Sequence, residues 1–185
     1  NQGTHAVAIG FDAGEQNQLP DSIAVGTFAG KDDQASYTVA IGYQAGNANQ
    51  EVNAIAIGKA AGLVTQGSGA IAIGVSAGAT IQGTGSIAIG AGAGETTQDS
   101  KSIAIGIQAA NDNQGEQSVA IGNNAGGTDQ SAFSIAVGTN AGSVSQGIRS
   151  VAIGPESAIN NQAENSIAIG SEAGQNNQGT GCIAI

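Results

Sequence analysis

Hydrophobic positions along this chain come as short pairs around one small residue. Val7 and Ile9 flank Ala8, Ile103 and Ile105 flank Ala104, and the series runs on to Ile183 and Ile185 around Ala184. These triplets recur every sixteen residues, with Ala central in all twelve and only Ile or Val beside it. Period-two alternation of β-branched residues predicts a strand at each triplet. A Gly follows each triplet at eleven positions from Gly10 to Gly170, which suggests a positive φ at that corner. A second, weaker strand is expected after the Ala–Gly pair, running to a Gln that recurs twelve times from Gln2 to Gln178.

Sixteen residues are too few for a strand plus a crossover helix. The pattern predicts an all-β fold, a single parallel β-solenoid (β-roll) of about 11.5 coils with a 16-residue repeat, continuous over 1–185. At ~4.8 Å per coil this is a rod of roughly 55 Å. No linker or second domain interrupts it.

Alternation assigns the two faces of each strand to opposite environments. The branched aliphatics are the natural core, so Val7, Ile9, Ile57, Ile89 and Ile121 are expected inside. The opposite face presents Ser, Ala or Thr, then Ala, then Gly, and carries no charge in any copy, whereas all 18 charged residues fall at corners or on the second side. Two branched residues are a small core for sixteen ordered ones, so an isolated rod looks marginal and more surface must be buried. The small-residue face, centred on Ala8, Ala24, Ala40, Ala56, Ala72, Ala88, Ala104, Ala120, Ala136, Ala152 and Ala168, is therefore the expected self-association surface. A flat sheet face simply left in water, or one that binds ice, is the alternative.

The Gln column comprises Gln18, Gln34, Gln50, Gln66, Gln82, Gln98, Gln114, Gln130, Gln146, Gln162 and Gln178, and a structural role is expected for it. Stacked amides can bond one another from coil to coil, or each can bond the backbone of its own corner.

Composition narrows the function classes. The chain has 185 residues, of which 10% are charged, and a net charge of −10 with only four Lys plus Arg. That balance excludes binding to a phosphate backbone, and no apolar run is long enough for a membrane span. One histidine, His5, permits no His-based catalytic pair. The single cysteine, Cys182, occupies a small-residue position and reads as a packing substitute. No phosphate loop, calcium repeat or other cofactor motif is present, so neither an enzyme nor a cofactor is expected. The lack of an initiating Met suggests a segment of a longer chain. Four of the five aromatics, Phe11, Phe28, Tyr37 and Tyr43, lie in the first three coils, with Phe133 apart. Their ordinary role would be to cover a core edge, and contact with a partner is the alternative.

Ser86-Ile87-Ala88-Ile89-Gly90, Ser102-Ile103-Ala104-Ile105-Gly106 and Ser150-Val151-Ala152-Ile153-Gly154 resemble the S-V-A-I-G motif of the head repeats in YadA-type trimeric autotransporter adhesins. Similar arrays occur in phage and giant-virus fibre proteins. The resemblance implies a left-handed parallel β-roll, a trimer and display on a cell or virion surface. The adhesin coil is nearer fourteen residues, and the sixteen-residue coil and the Gln column depart from it. The expected function is a structural and adhesive fibre segment, extracellular and homo-oligomeric (trimer or filament). It would act as a spacer or as a head contacting a host receptor or glycan, with an ice-binding solenoid as runner-up.

Overall fold

The structure, a computed structural model, describes residues 2–185; Asn1, first in the expected array, lies outside them. The described residues form no helix. The chain winds into a parallel β-solenoid with two sheets. Twelve strands, from Val7–Ile9 to Ile183–Ala184, stack in the first sheet, and nine, from Asp32–Gln34 to Asn160–Gln162, in the second. Register is sixteen residues throughout: Ala88 pairs with Ala72 on one side and Ala104 on the other. Gln82 pairs with Gln98 in the second sheet. Each coil bonds both neighbours, as when the Ile103 N–H donates to Ser118 O at 2.9 Å and the Gly106 N–H to Ile89 O at 2.8 Å.

The corners explain the shortness of the strands. The Gly that follows eleven of the twelve first-sheet strands has φ between +121° and +135°. At Gly74 (φ +134°) an added Cβ would stand 2.6 Å from the Gly90 carbonyl oxygen of the next coil, so coil stacking itself requires Gly here. The second Gly of the corner is also left-handed, yet Ala110 and Ala158 adopt φ +45° and +46° at that column. The atom such a Cβ meets is the amide end of the Gln four residues on, as Gly30 shows with Gln34, and a side chain can shift where a backbone cannot.

The core inverts the expected sides. Ala24, Ala40, Ala56, Ala72, Ala88, Ala104, Ala120, Ala136, Ala152 and Ala168 are fully buried, and Ala93, Ser86 and Gln98 show the same for the other inward columns. Ala8 belongs to the same column but is exposed in the first coil. Of the residues expected inside, Ile9, Val7, Ile121 and Ile89 are 60%, 41%, 38% and 36% exposed, and Ile57 is only half-buried. The reason is thickness. The Gln98 side chain spans the coil from the second sheet to the Ile87 carbonyl of the first, at 2.8 Å. Two sheets held one Gln side chain apart leave room opposite it for a methyl or a hydroxymethyl group, not for two branched chains per coil.

Candidate association faces and the glutamine column

Each coil is closed across its width by its Gln. From Gln18 to Gln178 the Nε2 donates to the carbonyl eleven residues earlier, on the facing strand, at 2.6 to 2.9 Å. A second set of bonds runs along the rod. Gln98 Nε2 also donates to Gln114 Oε1 at 3.0 Å, and Gln34, Gln50, Gln82, Gln114, Gln130 and Gln162 do likewise to the next Gln at 3.1 to 3.3 Å. Gln50, Gln66, Gln98, Gln114, Gln162 and Gln178 also reach the carbonyl four residues on, at their own corner, at 3.0 to 3.5 Å, so both sequence alternatives hold, and the short bond to the facing strand is a partner that neither named. Ser86 Oγ donates to Gly83 O at 2.7 Å and Ser102 Oγ to Asp99 O at 2.6 Å, closing the turn before the strand. The small-residue column is therefore half packing and half turn closure.

With Ala and Ser inside, the Ala face is no association surface: it is the core, and the residues assigned to it from Ala24 to Ala168 have no surface to offer. The outer face of the twelve-stranded sheet instead carries two columns of Ile and Val, partly exposed in every coil, as at Ile23, Ile41, Ile73, Ile135 and Ile169. Burial was misassigned because alternation shows that two faces differ without saying which is inward. The signal that could have corrected it is the Gln column, whose length is incompatible with Ile packed opposite.

Four of the five aromatics do not cover a core edge, and Phe28 is half-buried. Phe11, Tyr37, Phe133 and Tyr43 are 68%, 61%, 49% and 45% exposed. Cys182 is exposed although its column is otherwise buried in Ser22 and Ser86. His5 lies 3.3 Å from Asp21 and Lys31 3.4 Å from Glu15, both at the surface. Among the described residues no group of three or more His, Cys, Asp and Glu is placed to hold a metal ion, and no helix is long and apolar enough to cross a membrane.

A rod with a polar-laced Ala core and an apolar ladder along one outer sheet is a structural repeat protein of the fibre kind. The YadA head domain repeat model matches residues 66–93, 100–125, 132–157 and 162–173, and the chain belongs to the YadA-like head repeats of trimeric autotransporter adhesins. That family is structural. Neither the curated proteins nor the solved structures give a match.

Proposed function

We propose that this chain is a stiff, self-associating segment of a surface fibre, not an enzyme, that spaces or presents a receptor-contacting head outside the cell or on a virion. The observation that carries this reading is the ladder of Ile and Val on the outer face of the twelve-stranded sheet. Branched aliphatics repeated at every coil along a flat face are a cost to a rod alone in water and a gain once another rod covers them. The face is about 50 Å long and, at three residues per strand, about 10 Å wide, or ~500 Å² per copy. Two copies face to face would bury ~1,000 Å² in their one contact, and three around a common axis ~1,500 Å² shared over three contacts, so area alone does not select the number of copies. A closed trimer is the favoured form because the adhesin head repeats imply one. The ice-binding alternative relied on the small-residue face, which is buried and presents nothing to water.

The test is the mass in solution, by sedimentation or light scattering, of the parent chain and of the triple variant Ile73→Lys, Ile89→Lys, Ile121→Lys. The parent should be trimeric and the variant a folded monomer with an unchanged far-UV spectrum. A monomeric parent, or a variant that keeps the parent mass, removes this face from the account.

A further inference from the structure

The first three coils carry an aromatic array that the fold does not need. Phe28 lies between Phe11 and Tyr43, edge to face with both, at centroid distances of 5.6 Å and 6.2 Å. The Lys31 ammonium stands 5.4 Å from the Phe28 centroid and 3.4 Å from Glu15. Phe28 adopts φ +59°, a left-handed conformation that costs a bulky residue more than Asn or Gly. Later coils fill its column with Ala60, Ser76, Gly92 and Asn140, all left-handed too. The column that Phe11 and Tyr43 share holds Lys59, Val75, Ile107, Asn123 and Pro155 elsewhere, so the corner requires no aromatic ring. The rings therefore belong neither to the repeating core nor to the repeating Ile and Val ladder. A strained, half-buried Phe28 holding two exposed rings, Phe11 and Tyr43, that the architecture can do without points to a partner.

We infer that Phe11, Phe28 and Tyr43 form a docking platform for a neutral glycan, with Phe11 and Tyr43 as stacking faces for pyranose rings. This deepens the receptor-contact part of the reading above and rests on it. Phe11 and Tyr43 share one column two coils apart, a separation of about 10 Å at the coil spacing, comparable with a disaccharide step of an extended glycan. Phe28 wedges between them, and Lys31 sits against its ring, so the platform is preorganised. Lys31 and Glu15 flank the rings with hydrogen-bonding groups suited to sugar hydroxyls. The surplus of carboxylates on a chain of net charge −10 disfavours an acidic glycan. A protein partner fits less well, because a convex corner three coils long lacks the enclosed pockets in which protein hot spots sit.

The probe is a panel of neutral and sialylated oligosaccharides presented to the full chain, followed by saturation-transfer NMR from the aromatic resonances to any neutral hexaose that binds. Binding is expected for a neutral member. It should fall roughly tenfold or more in the variant Phe11→Ala, Tyr43→Ala and survive in Phe11→Tyr, which keeps the stacking face. Solution mass measured on the same samples should be unchanged, so a failed platform and a failed assembly are told apart. No neutral member bound, binding confined to sialylated members, or equal binding by the double Ala variant overturns the proposal. So does a change in oligomeric mass in that variant, which would assign the rings to an interface between protein copies.

Discussion

Ala88 and Ile89 are neighbours with opposite fates, and they carry the residue-scale argument. Ala88 is fully buried and Ile89 is 36% exposed. Ala88→Asp places a carboxylate among Ala and Gln side chains with no cation near, and should cost several kcal/mol and melt the rod locally. Ile89→Asp should leave the isolated coil folded and act on association instead. Thermal unfolding of both variants, with solution mass alongside, checks the assignment; equal destabilisation by the two would reverse it. The Gln column gives a sharper case. Gln98→Ala removes the donor to Ile87 O, leaves the Gln82 amide without its Gln98 acceptor, and opens a void, for a loss of about 2–4 kcal/mol. Gln98→Glu keeps the size but turns a donor into an acceptor facing a carbonyl. Burial without a cation favours the neutral acid in the fold and so raises the folded-state pKa above the unfolded one. The variant should then be most stable at acid pH and lose stability as pH rises through the glutamate range, which a denaturant titration at several pH values would show. These residues were legible as special from their invariance across the repeat. Their side of the sheet was not, because hydrophobicity ranks Ile above Ala as a core residue and only the width of the coil overrules it.

At the scale of the element, the second sheet has two backbone forms, selected by one residue. Where the position before the Gln is Asn, Asp or Ser, as at Asp33, Asn113 and Ser145, φ is +54° to +56°. The Asp33 N–H then donates back to Gln16 O at 3.1 Å, and the Asn177 N–H back to Asn160 O at 2.9 Å. Where it is Thr65, Ile81 or Thr97, β-branching disfavours the left-handed region. The peptide turns over, so that the Thr65 N–H donates forward to Thr80 O at 3.1 Å and the Ile81 N–H to Thr96 O at 3.0 Å. The three strands there shorten to two residues, Thr65–Gln66, Ile81–Gln82 and Thr97–Gln98. Because each orientation bonds only to its own kind, the coils form blocks. At the junctions, Gln50 with Gln66 and Gln98 with Gln114, a single residue pair survives. Thr65→Asn should move one junction without adding any and change stability by less than about 0.5 kcal/mol. Ile81→Asn, inside the block, should create two more and cost about 1–2 kcal/mol, whereas Thr65→Asn, Ile81→Asn and Thr97→Asn together should remove both and stabilise by a similar amount. Denaturant midpoints of the three variants test the ordering. The second strand was legible as a weak element ending in Gln. Its two forms were not, since a lone Thr or Asn announces a preference, and the neighbouring coils decide whether that preference can be followed.

The whole molecule is a one-dimensional object, and its period is the most legible thing about it. Sixteen-residue recurrence with no insertion fixes the register of every pair from Val7 with Ile23 to Ile167 with Ile183. The surface a partner would use was not legible, because that depends on which sheet face the coil has room to bury. In such a stack each coil touches only its neighbours, so stability is a sum of coil and junction contributions, and length can change by whole coils. Deleting Ile135–Ser150 joins Ser134 to Val151 and leaves every column in place, within a block where both neighbours have the same peptide orientation. The shortened chain should fold, keep its oligomeric state, and lose about 4.8 Å of length, one strand spacing. Deleting only the eight residues 135–142 joins Ser134 to Ser143 and removes a first-sheet strand with its Gly corner, while keeping Gln130 and Gln146 in the chain. Two second-sheet strands would then follow one another with no first-sheet strand between them, and Gln146 would lose the Ile135 carbonyl it bonds at 2.7 Å. That chain should unfold around the deletion and lose several kcal/mol. Small-angle scattering for rod length, with far-UV spectra and denaturant unfolding for integrity, separates the outcomes. Equal tolerance of the sixteen- and eight-residue deletions would mean that the coil is not the unit of folding.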